Sequence, residues 1–448
     1  MTKDRARSLA AEVIYQVLEE GAFANLCLDK ALFACRELSI RDRGFATELI
    51  YGTIRQKGAL DWCLDQFAKT KTAKMDPWLR TILRLSAYQM LYLDKVPVSA
   101  AINEGVELAK HYAPKGAAGF ANAVLRALDQ GRGKIKYPDK GKNPAGFMAA
   151  KYSYPQWIVE GWLKIYGRKN TEKMCAYFNE PSKLWIRANS LKITREELKE
   201  ELSEQGVETR ESIYAPLGLE ILNEVNLRTL TAFQKGHFLV QDESSMLVAP
   251  VLAPQPGQTV IDVCSAPGGK TTHLAQLMEN RGEIIACDIH EHRLELIKEN
   301  ADKLGANIIR TRLQDGCELS KNFGAEFDLV LLDAPCSGLG VLGRRADLRW
   351  NKRRGDIVEL AALQKELLAQ AQSTVKPGGT LIYSTCTTTV EEDEKNVEWI
   401  LENYEEFRLD KRLPWTDETG ENVGSYKLSP LKEGTDGFFI AIFKRGEN

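Results

Sequence analysis

The second half of the chain alternates short apolar segments with amphipathic ones, and this alternation limits the folds available to it. The apolar segments include TVIDVCS, EIIACDI, FDLVLLDA and TLIYSTC, and segments such as RLELIKENADKL and IVELAALQKELLAQAQS separate them. Continuous apolar strands joined by amphipathic helices are typical of a mostly parallel sheet that is covered on both faces. The last such segment, DGFFIAIFKR, predicts an antiparallel strand added at the edge of that sheet.

The pattern before this region predicts further domains. Apolar residues recur at steps of three and four up to about residue 130, which predicts an all-helical domain over residues 1–135. Residues 131–147 are rich in Gly, Pro and Lys, which predicts a basic linker, placed at residues 136–155. A strand-helix-strand pattern over residues 156–235 predicts a small α+β connecting domain. We therefore expect a multidomain chain that ends in an α/β Rossmann-like core at residues 236–448.

Composition narrows the class of protein. No apolar run approaches the roughly 20 residues of a membrane span, so we expect a cytoplasmic protein that has no membrane partner. The nine cysteines include no CxxC pair, which favours reduced thiols over disulfides or a metal site. Lysine and arginine outnumber acidic residues up to residue 155, and the balance reverses after it. A basic front half hints at a polyanionic partner, although ordinary charge scatter between domains is the alternative.

A glycine-containing loop follows the first strand of the expected core. It consists of Cys264, Ser265, Ala266, Pro267, Gly268, Gly269 and Lys270. Two adjacent glycines let the backbone approach a ligand, and the amides at the start of the next helix favour electron-rich groups. The loop matches neither the Walker A pattern nor the dinucleotide pattern GxGxxG. A tight turn that binds no ligand is the alternative.

Two aspartates follow the next two strands. Asp288 ends the second strand, where a carboxylate can accept hydrogen bonds from ribose hydroxyls. Asp315 follows the third strand and could meet the exocyclic amine of an adenine. Either residue alone is better explained as a surface carboxylate or a helix cap. Together with the loop they predict a site for S-adenosylmethionine, which fits this layout better than a pyrophosphate ligand does.

Two cysteines, Cys336 and Cys386, stand at the exits of apolar strands. A thiolate that adds to carbon 6 of a pyrimidine makes carbon 5 nucleophilic enough to accept a methyl group. Asp333 lies three residues before Cys336 and could act as the acid at ring N3. These residues predict C5-methylation of cytosine, but the spacing does not decide which thiol attacks. A structural role is the alternative for either cysteine, because buried thiols are normally inert.

A basic segment follows the Cys336 loop. Its candidate nucleic-acid ligands are Arg344, Arg345, Arg349, Trp350, Arg353 and Arg354. Basic side chains around an aromatic ring can neutralise phosphates and stack on a base. The alternative is a solvated helix start.

The motifs resemble those of the RNA cytosine-C5 methyltransferases of the Sun family, and within it the bacterial enzymes of small-subunit rRNA. The resemblance covers nearly the whole chain. RDRGFATELIYGTIR and GFANAVLRAL look like a NusB-type RNA-binding domain, and FLVQDESSMLVAP, VCSAPGGKTTHLA, LLDAPCSGLG and YSTCTTTVEEDEKNVEWIL look like the catalytic core. Ser265 and Thr387 depart from the family pattern by small polar changes only.

The resemblance implies a role for each site residue. It implies that Cys386 is the nucleophile and that Cys336 assists product release. It further implies that Cys264–Lys270, Asp288, Asp315 and Asp333 line the S-adenosylmethionine pocket, with Asp333 also near the target base. The expected substrate is 16S rRNA or a partly assembled small ribosomal subunit, and the expected enzyme is a monomer. The alternatives are a tRNA cytosine-C5 methyltransferase and an inactive RNA-binding or antitermination factor.

Overall fold

The structure is a computed structural model that describes residues 4–35, 37–416 and 419–447. The chain forms two compact units. The first consists of Met1–Pro181 and Leu342–Arg354, and the second consists of Ser182–Val341 and Gly355–Asn448. Within the described ranges, no helix combines the length and the apolar content that crossing a membrane requires.

The first unit is helical, as predicted. Aspartate side chains cap its first and fourth helices, and a proline at the first position of the fourth favours that helix start. Leu49, Ile82 and Leu125 are fully buried in the shared core. The helices are α1 (Arg5–Glu19), α2 (Ala24–Ala34), α3 (Ile40–Phe67), α4 (Pro77–Tyr92), α5 (Val98–Tyr112), α6 (Ala117–Gly131), α7 (Pro144–Tyr152) and α8 (Gln156–Tyr177), which is kinked at Gly167.

The expected linker at residues 136–155 contains a helix, so that prediction needs correction. The Asn143 side chain accepts a hydrogen bond from the Gly146 amide at 2.9 Å, and Pro144 occupies the first helical position of α7. Met148 is fully buried. The glycines and lysines around this short helix conceal it in the sequence. Helical structure therefore continues past the predicted boundary at 135.

A four-stranded antiparallel sheet begins the second unit. Its elements are β1 (Leu184–Ala188), α9 (Arg195–Glu204), β2 (Thr209–Glu211), β3 (Gly218–Ile221), α10 (Thr231–Gln234) and β4 (Phe238–Val240), and the strand order is β2-β3-β1-β4. The prediction that the catalytic domain starts at residue 236 is too early. Because Phe238 is fully buried with Ile186 and Leu219, β4 completes the small sheet instead.

The described residues of the second unit also form a larger, eight-stranded sheet. Its elements and the helices around them are α11 (Glu243–Met246), α12 (Val248–Leu252), β5 (Thr259–Asp262), α13 (Gly269–Leu277), β6 (Glu283–Asp288), α14 (Glu291–Leu304), β7 (Ile309–Leu313), β8 (Phe327–Asp333), α15 (Leu348–Asn351, in the first unit), α16 (Arg354–Ser373), β9 (Val375–Thr385), α17 (Glu394–Asn403), β10 (Phe407–Leu409), β11 (Ser425–Leu428) and β12 (Phe438–Arg445). The strand order is β10-β12-β9-β8-β5-β6-β7, with β11 paired to β12.

The sheet is mostly parallel, as the apolar alternation predicts. Strands β5 to β9 pair in parallel, and β12 pairs antiparallel with β9. The prediction that DGFFIAIFKR lies at the edge is wrong, since β10 lies beyond β12. Residues 438–443 are all buried, which explains the unbroken apolar run. The strand order reverses between β5 and β8, and ligands bind at the carboxyl ends of strands beside such a reversal.

Candidate active site

The loop after β5 is held in a fixed shape by hydrogen bonds to β6 and by one within the loop. Ser265 donates from its amide and its hydroxyl to the Cys287 carbonyl, at 2.9 and 2.8 Å. The Gly268 amide donates to the Ser265 carbonyl at 2.7 Å. Gly268 has a φ of +94°, and an added Cβ would lie 3.3 Å from Ile297. Only glycine adopts this conformation without strain, so Gly268 lets the loop pack closely against α14.

A cleft with an accessible volume of about 250 Å³ lies beside this loop. Seven predicted residues, six from the loop together with Asp333, line it along with others that the sequence did not single out. The lining residues are Val240, Gln241, Asp242, Ser245, Asp262, Cys264, Ser265, Ala266, Pro267, Gly269, Lys270 and Asp333. Of the seven predicted loop residues, Gly268 alone is absent from this lining.

The sequence interpretation missed Asp262, the last residue of β5. Its Oδ2 accepts a hydrogen bond from the Thr271 hydroxyl at 2.7 Å, whereas its Oδ1 is buried and has no partner among the described residues. Burial raises the pKa of Asp262 to about 7. A carboxylate that ends an apolar strand immediately before the glycine loop is the signal that could have found it.

Gln241, Asp242 and Ser245 were also missed. They follow β4 of the small sheet and line the cleft together with the loop residues. The run of polar residues directly after a short apolar strand is the available sequence signal.

A buried arginine ties the small sheet to the glycine loop. The guanidinium of Arg187 in β1 donates to the Gly269 carbonyl at 2.6 Å and to the Thr272 hydroxyl at 2.9 Å, and it also bonds the Gln241 side chain. Burial lowers the pKa of Arg187 to about 9. The sequence showed no sign of this contact, because it joins residues that are more than 80 positions apart.

Asp288 and Asp315 lie at the ends of neighbouring strands. Asp288 ends β6, and its side chain accepts from the His290 amide at 2.9 Å. Asp315 follows β7, and its side chain accepts from the Cys317 amide at 2.9 Å. The Gln314 amide donates to the Asp288 carbonyl at 3.1 Å and so connects the two strand ends. Neither aspartate lines the cleft itself, but both lie at the same edge of the sheet as the cleft.

The two cysteines predicted to carry the chemistry are in contact. Strands β8 and β9 are parallel neighbours, with Asp333 paired to Ser384, so the chain positions after them are adjacent. The Sγ atoms of Cys336 and Cys386 lie 3.3 Å apart. The hydrogen bond with Cys386, together with burial, raises the pKa of the Cys336 thiol well above its usual value. The Cys336 thiol is therefore protonated near neutral pH.

An ion pair stands beside the thiols. Lys270 Nζ donates to Asp333 Oδ2 at 2.6 Å, and the Ser384 hydroxyl donates to Asp333 Oδ1 at 2.7 Å. Burial alone would lower the pKa of Lys270, but Asp333 outweighs it and raises the pKa, with Cys386 adding a smaller contribution. The ammonium thus stays charged, and Asp333 is fixed by two donors.

The basic segment after the Cys336 loop requires a correction. Arg349 is fully buried in the first unit, where it donates to the carbonyls of Ser153 and Phe178 and to the Asn179 side chain. The prediction that Arg349 binds RNA is therefore wrong. The Trp350 indole donates to the Ile54 carbonyl at 2.7 Å, and the Lys57 ammonium covers its ring.

Trp350 is thus occupied by structural contacts and does not offer the free ring that base stacking needs. Arg344 and Arg345 are partly exposed, and Arg345 pairs with Asp347 at 3.4 Å. Arg353 and Arg354 are exposed. The sequence pattern did not distinguish the buried residues of this segment from the exposed ones, because the segment packs onto helices that are distant in the sequence.

Comparison with known proteins places the chain in a family. The profile described as "16S rRNA methyltransferase RsmB/F" matches residues 249–444, and profiles for the NusB family and for the ferredoxin-like domain of RsmF/B-like methyltransferases match residues 4–130 and 154–228. A Bacillus subtilis protein named "Probable ribosomal RNA small subunit methyltransferase B" is 39% identical over 99% of this chain and 100% of its own length. The chain belongs to the RsmB/RsmF family.

Other relatives of the RsmB/RsmF family agree with this assignment. A Yersinia enterocolitica "Ribosomal RNA small subunit methyltransferase B" is 31% identical over 98% of both chains. The crystal structure of PH0851 superimposes with a TM-score of 0.84 at 30% identity, over 98% of this chain and 99% of that one. The structure of NSun6 from Pyrococcus horikoshii with SFG has a TM-score of 0.60 at 28% identity, over 66% of this chain and 100% of that one.

Membership of the RsmB/RsmF family confirms the predicted domain types and the predicted enzyme class. The chain is an S-adenosylmethionine-dependent RNA methyltransferase. The cleft fits that cofactor, since it offers the glycine loop and the buried, unpartnered Oδ1 of Asp262. The loop residues and Asp262 would hold the cofactor at this edge, beside the two thiols.

Proposed function

We propose that the enzyme methylates carbon 5 of a cytosine in 16S rRNA through a covalent bond between Cys386 and carbon 6 of the base. The observation that supports this most directly is the pair of thiols at 3.3 Å, beside the Lys270–Asp333 ion pair and the cofactor cleft. Two thiols, a fixed carboxylate and an ammonium provide a nucleophile, a leaving-group partner and two groups for orienting a base. The ribosomal target is supported by the relatives of similar length, which carry that activity in their names.

Cys386 acts first in this proposal. Its thiolate adds to carbon 6, the S–C6 bond forms, and the electron pair of the C5–C6 double bond moves so that carbon 5 becomes nucleophilic. Asp333, held by Lys270 and Ser384, accepts a hydrogen bond from the exocyclic amine of the base. Lys270 donates to a ring acceptor. When bound, S-adenosylmethionine supplies the methyl group that carbon 5 takes up.

Cys336 acts in product release. The carbon 5 proton passes to solvent water, the C5–C6 double bond re-forms, and the S–C6 bond breaks to return the Cys386 thiolate. Because Cys336 stays protonated and its Sγ lies 3.3 Å from that of Cys386, its S–H can donate to the departing thiolate. A sulfur that accepts a hydrogen bond is a better leaving group. In this proposal the two thiols therefore have different roles.

Substitution of each cysteine tests the assignment. We expect Cys386→Ala to lose methyl transfer entirely, since no thiol remains to attack. We expect Cys336→Ala to accumulate a covalent protein–RNA adduct, because release is slowed more than attack. The measurement is transfer of labelled methyl groups to 16S rRNA, with adducts resolved on a denaturing gel. The proposal is contradicted if Cys386→Ala forms an adduct, or if neither variant forms one.

The RNA target needs a separate experiment. We expect methyl transfer to 16S rRNA or to a partly assembled small subunit, and none to tRNA. Bisulfite sequencing of 16S rRNA from a deletion strain should show one cytosine that loses its modification and regains it when the gene is restored. A missing methyl group in tRNA alone would overturn the ribosomal assignment. Arg344, Arg345, Arg353 and Arg354 are the proposed phosphate contacts.

A further inference from the structure

A buried carboxylate joins the two loops that carry the thiols. Glu392 is fully buried and lies in the turn after β9. Its Oε1 accepts from the Ser337 amide at 2.8 Å, and its Oε2 accepts from the Ser337 hydroxyl at 2.5 Å. Ser337 directly follows Cys336. One side of this carboxylate network therefore holds the backbone next to the first thiol.

The same carboxylate holds the loop of the second thiol. Oε2 of Glu392 also accepts from the hydroxyls of Thr389 at 2.7 Å and Thr387 at 3.3 Å. Thr387 directly follows Cys386, and its hydroxyl lies 2.7 Å from that of Ser337. The residues that follow each cysteine are thus bonded to Glu392 and to each other.

A third element stabilises the network from α16. The Gln364 amide donates to Glu392 Oε1 at 3.1 Å and to the Pro335 carbonyl at 2.9 Å. Four donors lie within 3.1 Å of the two carboxylate oxygens, which together offer about four lone-pair sites, and the Thr387 hydroxyl lies farther away at 3.3 Å. A glutamine at this position would have one acceptor oxygen and would turn an NH2 group toward donors. The network therefore requires a carboxylate rather than merely a polar side chain.

The two loops depend on Glu392 to different degrees. The Cys386 side has further anchors, since the Thr385 hydroxyl donates to Asp393 at 2.6 Å and Ser384 donates to Asp333. On the Cys336 side, the Ser337 amide and hydroxyl both donate to Glu392. Other anchors of this loop, from Gln364 to the Pro335 carbonyl and from the Gly340 amide to the Cys386 carbonyl, lie before and after Ser337 and do not hold Ser337 itself. Loss of the carboxylate should release the Cys336 loop more than the Cys386 loop.

We propose that Glu392 is a positioning residue that sets the distance between the Cys336 and Cys386 sulfur atoms. It does not line the cofactor cleft, so it acts through the loops. The consequence for catalysis rests on the proposed covalent mechanism. With Glu392 intact, Cys336 stands where it can donate to the departing Cys386 thiolate. Without it, attack continues and release slows.

The distance can be tested without RNA. Diamide takes two electrons and two protons from a pair of nearby thiols and leaves a disulfide, whose sulfur atoms must approach to about 2.05 Å. We expect the wild-type protein to form the Cys336–Cys386 link readily, and Glu392→Gln to form it at least tenfold more slowly. Peptide mass spectrometry identifies the link among the other cysteines. Wild-type linking rates in a folded Glu392→Gln protein would overturn the proposal, as would a wild-type protein that does not link.

Asp393→Asn is the matched control. Asp393 is an equally buried carboxylate one residue away, and it bonds Thr385 and pairs with Lys427 but does not reach the Cys336 loop. We expect this variant to lose stability while its linking rate stays within twofold of wild type. A slowing equal to that of Glu392→Gln would assign the effect to general loosening and overturn the proposal. If Glu392→Gln does not fold, Glu392→Asp decides the question with the same readout, since its shorter side chain cannot bond both loops.

A second readout separates this proposal from the proposed function. With labelled cofactor and rRNA, Glu392→Gln should turn over about a hundredfold more slowly, because a misplacement near 1 Å costs about that much. It should also accumulate the covalent adduct while its affinity for S-adenosylmethionine changes less than twofold. Slow linking without an adduct in any variant would contradict the covalent mechanism and leave the positioning role intact. Wild-type linking rates in Glu392→Gln, together with a covalent adduct in Cys336→Ala, would contradict the positioning role and leave the covalent mechanism intact.

Discussion

His273 illustrates how burial changes a single residue. It lies in α13, it is almost fully buried, and neither ring nitrogen has a partner among the described residues. Burial, with a smaller contribution from the nearby Arg187 charge, lowers the pKa of His273 well below its usual value. The imidazole is therefore neutral in the folded protein at any pH near neutrality.

This residue predicts a pH dependence of stability. Below a pH of about 6.5 the unfolded chain binds a proton on His273 that the folded chain does not, so stability falls as the pH falls. The loss approaches about 1.4 kcal/mol for each pH unit below that value. In His273→Leu this part of the slope should disappear, as measured by urea denaturation at pH 7.5 and 5.5. The exposed His292→Gln should retain the wild-type slope. If His273→Leu retains it too, the neutral assignment fails.

At the scale of secondary-structure elements, the loops after β8 and β9 meet the turn before β12. The Gly340 amide donates to the Cys386 carbonyl at 3.0 Å, and the Gly437 amide donates to the Gly340 carbonyl at 2.9 Å. A Cβ at Gly340 would lie 1.9 Å from the Gly437 carbonyl oxygen and 2.8 Å from that of Cys386. The backbones are therefore too close for any side chain at this position.

Gly340→Ala should force these loops apart. We expect it to reduce the free energy of unfolding by roughly 1–3 kcal/mol, which is typical of overpacking, and to reduce methyl transfer more than tenfold. Gly324→Ala is the control, since an added Cβ there meets nothing within 4 Å. Denaturation curves and methyl-transfer rates of both variants check this. Wild-type activity in Gly340→Ala would show that the loops can move without loss of function.

At the scale of the whole molecule, each of the two units is built from two separate ranges of the sequence. Leu342–Arg354 belongs to the first unit although it lies within the sequence of the second. Buried Arg349 donates to several backbone carbonyls of that first unit. The basic segment therefore has two parts, one structural and one exposed.

Two arginine substitutions should separate these parts. Arg349→Met should reduce the free energy of unfolding by about 2–4 kcal/mol, since it leaves buried carbonyls without donors. Arg354→Met should change stability by less than about 0.5 kcal/mol, because the residue is exposed. If Arg354 contacts phosphate, its variant should bind rRNA more weakly and with a shallower salt dependence. Denaturation and binding titrations at several salt concentrations measure both effects. Equal stability of the two variants would contradict this division.

Much of the fold was predictable because it follows from local patterns. The helical steps before residue 130 and the apolar strands after residue 240 depend only on neighbouring residues. The α7 helix was missed because it is short and its surroundings are rich in glycine and lysine. The interior position of β12 was missed because apolar content shows that a strand is buried but not which strands lie on either side of it.

The candidate site was predictable where its residues follow strands. Cys336, Cys386, Asp333 and the loop from Cys264 to Lys270 all occupy strand ends, and parallel strands bring such ends to one edge. Arg187, Asp262 and Gln241 were missed. Arg187 acts across more than 80 positions of sequence, and the other two gain their meaning only from the cleft they face.

The amino-acid order by itself determined the types of element, the glycine loop and the presence of two thiols at strand ends, since each depends on short-range chemistry. Only the tertiary structure decided that the sulfur atoms of Cys336 and Cys386 lie 3.3 Å apart and that Arg349 is buried. The physical reason is that hydrogen bonding and burial depend on contacts between distant segments. Packing brings these segments together, and periodicity along the chain does not record it.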